Sequence, residues 1–145
     1  MTTLEDLAAL AAQEQGLVVV STLRADGTIQ ASLVNAGVLA HPLGGHPVLG
    51  FVTYGRVKLA NLRARAQVTV TARAGWAWAT AEGNAELIGP DDIAAGIDSE
   101  RLRLLLREVF LAAGGSHENW EEYDRVMAEQ HRTVVLVAPE RIYSN

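Results

Sequence analysis

Hydrophobic and polar positions along the chain follow two patterns, one with a period of two residues and one with a period near 3.6. The period-two pattern and β-branched runs dominate up to residue 88 and return at the end of the chain. They predict strands at 17–23, 30–39, 48–54, 67–74, 76–88 and from Arg132 onward. Asp26-Gly27 is typical of a tight hairpin turn. Gly83 predicts a bulge or bend, and Pro139 predicts the end of the last strand.

Helical periodicity marks the remaining segments. Leucines at helical spacing predict a short helix that ends before Gly16, and Thr2 and Glu5 have the spacing of a capping box. Three more helices are predicted, at 56–64, within 91–115, and at 118–131. The chain begins with hairpins, continues through helical segments and ends in a strand. This order favours a mainly β fold with peripheral helices. We therefore expect a small closed or partly closed barrel of about six antiparallel strands, with residues 1–145 forming one domain.

The composition limits the classes of protein to which the chain can belong. Its 145 residues are close to the usual size of one domain, and a hydrophobic content of 49% is enough for a packed core. The net charge of -5 gives no general attraction to nucleic acid or to acidic lipid. The chain has no cysteine, which excludes disulfides and thiolate metal sites. No apolar stretch is long enough to span a bilayer and no signal peptide is recognisable, so we expect a cytoplasmic location.

Basic residues are concentrated just after the third predicted strand. Arg56, Lys58, Arg63 and Arg65 lie within ten residues, although the chain has 12 Lys and Arg in all. Such a cluster is often the solvated face of a surface helix. Here, however, two cations fall in the first turn, where the helix dipole disfavours positive charge. This choice is explained if an anion binds at the helix N-terminus.

The residue types around the cluster suit a phosphate group. A planar guanidinium at Arg56 lies near a compact ammonium at Lys58, and the hydroxyl of Thr53 precedes both. Asn61 adds a neutral hydrogen-bonding group on the next turn. No Walker loop or GxGxxG motif precedes the segment, so neither a P-loop nor a Rossmann site is supported. The sequence therefore predicts a small ligand that carries a phosphate. His41 and His46 have no third ligand nearby, so no metal site is predicted.

The order of these segments resembles a known family. LVVVSTLRADGTIQASLV, an apolar strand, RVKLANLRARAQVTVTA and GWAWATAEGNAELI follow one another as in the split β-barrel flavoproteins related to pyridoxamine 5′-phosphate oxidase. More narrowly, the chain resembles the branch that uses the deazaflavin coenzyme F420 instead of FMN. The resemblance covers about residues 5–143, and its most specific part is R-x-K-x-x-N-L-R after the third strand.

The resemblance implies a homodimer with a cofactor cleft at each side of the subunit interface. By this resemblance the cofactor-binding residues are Arg56 and Lys58 for the phosphate, Thr53 for the phosphate or ribityl chain, Asn61 and Arg63 for the loop or the anionic tail, Ser32, Val34 and Asn35 for the ring, and Trp76 and Trp78 near the cleft. For Asn35, a purely structural amide is the alternative.

The implied activity is hydride transfer from reduced F420 to a small organic acceptor, such as a tetrapyrrole, a quinone or an enone. An FMN-dependent oxidase or reductase on the same fold is the second reading. A protein that carries the cofactor without turnover is the third. No side chain is predicted to be catalytic, because the sequence has no nucleophile–base or paired-carboxylate pattern. The acidic net charge and the scarcity of aromatics argue against a nucleic-acid module.

Overall fold

The computed structural model describes all 145 residues, and they form an antiparallel barrel with four helices. The strands are β1 (Leu17–Leu23), β2 (Ile29–Ala40), β3 (Pro47–Thr53), β4 (Gln67–Ala74), β5 (Ala77–Ile88) and β6 (Thr133–Ser144). They close in the order β1-β2-β3-β6-β5-β4. The helices are α1 (Leu4–Gln13), α2 (Arg56–Ala64), α3 (Ser99–Ala112) and α4 (Trp120–Glu129). The predicted mainly β class with six antiparallel strands and peripheral helices is confirmed.

The interior of the barrel is filled by aliphatic residues that alternate along each strand. Val20 of β1 lies opposite Val70 of β4, and both are fully buried. Phe51 of β3 is also fully buried, and α1 packs its Leu7 into the same core. Because side chains on a strand alternate between its two faces, the intervening residues point outward. The burial of these side chains, at about 25 cal/mol per Å² of apolar surface, drives closure of the barrel.

A second core lies outside the barrel. The helices α3 and α4 pack outside the barrel, with α3 against β2, β3 and β6. In the cluster that they form there, Leu105, Val109 and Met127 meet Val48 and Leu136. This cluster has 10 buried residues, compared with 18 in the barrel core. The outer face of β3 and β6 is thereby covered by helices.

The strand β2 belongs to both halves of the barrel. It pairs with β1 from Ile29 to Asn35 and with β3 from Ala36 to Ala40. At the change of partner the end of α3 comes very close, because a Cβ added to Gly37 would lie 2.0 Å from the carbonyl oxygen of Ala112. Glycine is thus required at position 37 by space, and it allows α3 to approach β2 closely.

The predicted irregularity at Gly83 is confirmed, and the predicted end of the last strand at Pro139 is wrong. The pairing of β5 with β6 shifts register between Glu82 and Gly83, and Gly83 lies opposite Pro139. Proline is tolerated in a strand at such a bulge because its missing N–H leaves no ladder hydrogen bond broken. The strand β6 therefore continues to Ser144.

The predicted helices are found, with corrections at their ends. The capping box is formed by Thr3 and Asp6, one residue later than predicted for Thr2 and Glu5. The long segment 91–115 becomes helical only at Ser99. Asp98 sets the start of this helix, because its carboxylate accepts a hydrogen bond from the backbone N–H of Arg101 in the first turn.

We expect the substitution Gly37→Ala to lower the free energy of unfolding by about 2 kcal/mol or more, because the new methyl group meets backbone that cannot rotate away. Chemical denaturation of both proteins measures the difference. The matched control is Gly55→Ala, whose added Cβ meets no atom closer than 3.6 Å. Equal stability of the two variants would contradict the close approach of α3 to β2.

Candidate functional site

The N-terminus of α2 presents backbone N–H groups without a side-chain cap. Gly55 is the N-cap residue and, having no side chain, makes no capping hydrogen bond, and the first turn has no acidic residue. The helix follows directly on β3, whose last residue is Thr53. The backbone N–H of Gly55 donates to the hydroxyl of Thr53 at 3.3 Å. The positive end of the helix dipole therefore lies beside two basic side chains in the same turn.

Lys58 is the central residue of this site. It is 7% exposed, and its Nζ donates a hydrogen bond to the Thr53 hydroxyl at 3.2 Å. No carboxylate lies within ion-pair distance of it. Burial lowers the pKa of Lys58 from its ordinary value, because the charged ammonium loses its hydration. A buried cation whose one polar neighbour is neutral destabilises the folded chain and would be stabilised by an anion.

A groove of about 820 Å³ runs along α2 beside these residues. Its lining includes Arg56, Asn61 and Arg63 together with Tyr54, Asp91, Gln130 and His131. Arg56 is exposed and forms no ion pair or hydrogen bond within the chain. The structure thus brings together Thr53, Arg56 and Lys58 at the N-terminus of α2 and places two more of the predicted residues along the same groove.

Asn61 and Arg63 are engaged in contacts within the chain. The amide of Asn61 donates to the hydroxyl of Thr22 at 3.0 Å in the interior. Arg63 forms a two-pronged pair with Asp92, with Nε–Oδ1 and Nη2–Oδ2 distances of 2.9 and 2.6 Å. Asp92 raises the pKa of Arg63 above its ordinary value through this hydrogen bonding. Both residues hold α2 in place, and their contact with a cofactor stays a prediction.

The three predicted residues of β2 differ in their surroundings. Val34 is part of the barrel core, and the Ser32 hydroxyl oxygen is buried without a hydrogen-bond partner. The amide of Asn35 donates to the backbone carbonyl of Gln15 at 2.8 Å, so it has a structural role. Asn35 also lines a second cavity, separate from the groove along α2. A cofactor contact at each of these positions stays a prediction.

The structure does not bring Trp76 and Trp78 to α2 within one chain. Trp76 is 94% exposed at the turn between β4 and β5. Trp78 packs edge-on against Tyr143, with ring centroids 6.1 Å apart. This end of the two strands is opposite to the end of β4 that follows α2.

Two residues that sequence reasoning missed lie beside this site, Tyr54 on the groove and Arg132 stacked against it. Tyr54 forms part of its wall, and the guanidinium of Arg132 stacks on the Tyr54 ring with its central carbon 3.9 Å from the centroid. Burial lowers the pKa of Arg132 from its ordinary value. The pairing of Thr53 with Thr133 brings these residues together across β3 and β6. The sequence offered one signal for Arg132, namely its position immediately before the last strand.

Most of the 12 basic residues have partners within the chain. Carboxylates lie within ion-pair distance of Arg63, Arg73, Arg101, Arg103, Arg107, Arg125 and Arg141. Arg24 and Arg65 donate to backbone carbonyl groups. The cations that have neither kind of partner are Arg56, Lys58 and Arg132, and all three lie around the end of β3. Positive charge is thus concentrated here by unpaired cations, in a chain whose net charge is -5.

No group of three or more His, Asp or Glu side chains is placed to hold a metal ion. None of the four helices combines the length and the apolar character needed to cross a membrane.

Known proteins share this fold, although no family model matches the sequence. A conserved hypothetical protein of Mycobacterium tuberculosis superposes with a TM-score of 0.69 over 99% of this chain and 84% of its own, at 17% identity. A protein described as an F420 reductase gives 0.59 over 88% of each chain, at 16% identity. A pyridoxamine 5′-phosphate oxidase-related, FMN-binding protein of Nostoc punctiforme gives 0.61 over 97% and 82%, at 13% identity. At these identities the likeness shows a shared split-barrel fold.

We expect Lys58→Met to keep or raise the free energy of unfolding at pH 7 when no anionic ligand is present. The increase should be at most about 1 kcal/mol, and its cause is the removal of an uncompensated buried charge. The pKa of Lys58 is lowered in the folded state, so the unfolded chain binds more protons between that lowered pKa and 10.5. Wild-type stability should therefore gain relative to the variant as pH rises through this window.

The measurement is urea denaturation of both proteins from pH 7 to pH 10.5 in low salt, without phosphate. Taking the difference between the two proteins cancels the titration of the other groups. A variant clearly less stable at pH 7, or a difference that does not change with pH, would show that the ammonium is well solvated in the folded chain.

Proposed function

We propose that this chain is an oxidoreductase that binds the phosphate group of a flavin or deazaflavin cofactor at the N-terminus of α2. The observation that carries the proposal is the buried Lys58 ammonium, which has the Thr53 hydroxyl but no carboxylate as a neighbour. A phosphate placed there would supply the missing negative charge. The shared fold with a protein described as FMN-binding and with one described as an F420 reductase supports the same class of cofactor.

The residues at the N-terminus of α2 fit a phosphate in charge and in hydrogen bonding. The free backbone N–H groups of the first turn and the Lys58 ammonium are donors, as phosphate oxygens require. Arg56 is free to add a bidentate contact from the groove. Asp91 also lines the groove and is its one acidic residue. It lies near His131 and has no Arg or Lys within ion-pair distance. Positive charge is therefore concentrated at the helix N-terminus rather than along the whole groove.

A bound flavin or deazaflavin would supply hydride-transfer chemistry, which none of the natural side chains provides. The side chains around the site bind and orient. The Thr53 hydroxyl accepts from the Lys58 ammonium and from the backbone of Gly55, which fixes the position of the charge. The aliphatic barrel beneath excludes water from one side of the site. We assign no protein group as proton donor.

Within this class we propose coenzyme F420 as the cofactor and a tetrapyrrole, quinone or enone as the acceptor. The motif R-x-K-x-x-N-L-R at 56–63 and the fold shared with an F420 reductase support F420. Arg63 and Arg65, which would suit its acidic tail, are bound to Asp92 and to the Leu23 carbonyl. FMN is therefore the alternative to be tested beside it, and a carrier without turnover is the third possibility.

Direct binding of F420 and of FMN, followed by fluorescence, tests the proposal. We expect micromolar or tighter binding of F420, which Lys58→Met and Arg56→Gln each weaken tenfold or more, a loss of at least about 1.4 kcal/mol. The matched control is Arg73→Gln, which removes one exposed positive charge at the other end of the barrel.

Each outcome of this titration has a separate meaning. Tighter binding of FMN than of F420 would keep the phosphate site and change the cofactor. Cofactor binding without turnover on a panel of quinones, enones and tetrapyrroles would favour the carrier. If neither compound bound, or if Arg73→Gln weakened binding as much as Lys58→Met, the phosphate site would be refuted.

We also propose that the chain forms a homodimer through the outer face of β1 and β2. Val19 and Leu33 are direct neighbours across the two strands and are 40% and 64% exposed. Leu17 and Ile29 extend this aliphatic face, and Ile29 is 65% exposed. No helix packs on the part of this face that holds these four residues, whereas α3 approaches β2 only from Gly37 onward. A two-fold pairing of such faces is the commonest way to bury them.

We expect Leu33→Glu to convert the dimer into a monomer, because two carboxylates would be buried near the two-fold axis. Light scattering coupled to size exclusion at micromolar concentration measures the mass. The matched control is Leu111→Glu on α3, where the leucine is 51% exposed but lies outside this face. A wild-type monomer, or an unchanged mass for Leu33→Glu, would refute the interface.

A further inference from the structure

A second cavity, of about 320 Å³, lies between the helices α3 and α4 and the place where β2 changes partner. We call it the α3–α4 cavity. Its lining includes Asn35, Val52, Phe110, Tyr123, Met127 and Arg132. It is separate from the groove along α2, with which it shares no lining residue. Its volume is within the range of pockets that hold small organic molecules.

Six of the 11 residues that line the α3–α4 cavity are hydrophobic, and they include two aromatic rings. Phe110 and Tyr123 pack edge to face with ring centroids 5.0 Å apart. The Tyr123 hydroxyl donates to the carbonyl of Leu106 at 2.9 Å, and burial raises the pKa of this tyrosine to about 12. Because the hydroxyl is used and stays protonated, Tyr123 contributes its ring to the cavity wall. Met127 adds a flexible thioether that adapts to ligand shape.

Arg132 is the one charged residue that lines the cavity. Its Nε donates to the side-chain oxygen of Gln130 at 2.8 Å, and its central guanidinium carbon lies over the ring of Tyr54. The two terminal nitrogens make no hydrogen bond within the chain, and no carboxylate forms an ion pair with them. These two contacts hold the guanidinium in place and leave the N–H donors of its terminal nitrogens free for a carboxylate.

The segment that includes Arg132 separates the cavity from the groove. Gln130 and His131 line the groove, and the next residue lines the cavity. Tyr54, on which Arg132 stacks, also lines the groove. A ligand in the α3–α4 cavity would therefore lie beside the proposed cofactor. Asn35, which is predicted to contact the cofactor ring, is on the wall of this cavity.

We propose that the α3–α4 cavity binds a small aromatic carboxylate, with the carboxylate on the Arg132 guanidinium and the aromatic body against Phe110, Tyr123 and Met127. The role of this ligand as the acceptor rests on the proposed function. Its binding does not, because every contact named above is present in the chain without a cofactor. Among the proposed acceptors, those that also carry a carboxylate are thereby favoured.

The test is titration of the cofactor-free full chain with 2-naphthoate and with the uncharged 2-naphthamide, which has nearly the same shape. Calorimetry gives the affinity, and backbone amide NMR shifts locate the ligand. We expect naphthoate to bind at least tenfold more tightly than naphthamide and to shift the amides of 109–115 and 127–132. In Arg132→Gln the naphthoate affinity falls tenfold or more, and the naphthamide affinity changes less than threefold.

The matched control is Arg125→Gln on α4, which removes the same charge from an exposed residue that pairs with Glu129 and does not line the cavity. We expect it to bind naphthoate like the wild type. Arg132→Lys keeps the charge but loses the planar fork, and we expect an intermediate affinity. It also provides the comparison if Arg132→Gln fails to fold.

Three results would overturn the proposal: no naphthoate binding to the wild type, equal affinities for acid and amide, or an equal loss in Arg125→Gln. Saturation with F420 or FMN provides a further arm. Simultaneous binding supports neighbouring sites, whereas displacement of naphthoate would assign the cavity to the cofactor ring and overturn the proposal. Naphthoate binding in a chain that binds no cofactor would refute the proposed function and leave this site standing.

Discussion

The burial of the Lys58 ammonium next to a neutral hydroxyl is the interaction on which the site depends. A lysine at this depth without a carboxylate has an energetic cost, because the loss of hydration is not repaid by a nearby negative charge. Other residues of α2 offset this energetic cost with contacts that anchor the helix. Asn61 is bonded to β1 through Thr22, and Arg63 is bonded to Asp92. The helix is therefore held in position while its N-terminus keeps an unpaired cation.

The path of β2 determines where the second cavity lies. This strand leaves β1 and joins β3 at Ala36, and the end of α3 approaches the same point over Gly37. The glycine pair that ends α3 then turns the chain away, with Gly114 at a φ of +91. A pocket remains between the turn, the helix α4 and the side chains of β3. The change of partner in β2 thus brings Asn35 to this pocket, and the glycine at position 37 keeps α3 close to the barrel.

Local sequence was sufficient to predict the parts of the site that are close along the chain. Thr53, Arg56 and Lys58 come together because a strand, one turn and a helix connect them directly, and this order is readable from hydrophobic periodicity. Arg132 and Tyr54 were missed because their contact depends on the pairing of β3 with β6, which no local pattern specifies. The partner of Arg63 was missed because Asp92 is 29 residues away along the chain, beyond the reach of a local pattern. Pro139 misled the strand assignment because the bulge that accommodates it involves the opposite strand.

The distribution of charge connects the two proposed sites. In this acidic chain the basic residues elsewhere are neutralised by carboxylates or held by backbone carbonyls, whereas Arg56, Lys58 and Arg132 are not. Two of them lie on the groove side of the segment 130–132, and Arg132 lines the cavity on the other side. A random surface distribution of charges would leave unpaired cations scattered over the barrel. Their restriction to one end supports the proposal of two adjacent anion sites, one for a phosphate and one for a flat carboxylate. If both proposals hold, this arrangement would place a phosphorylated cofactor and an acidic ligand side by side.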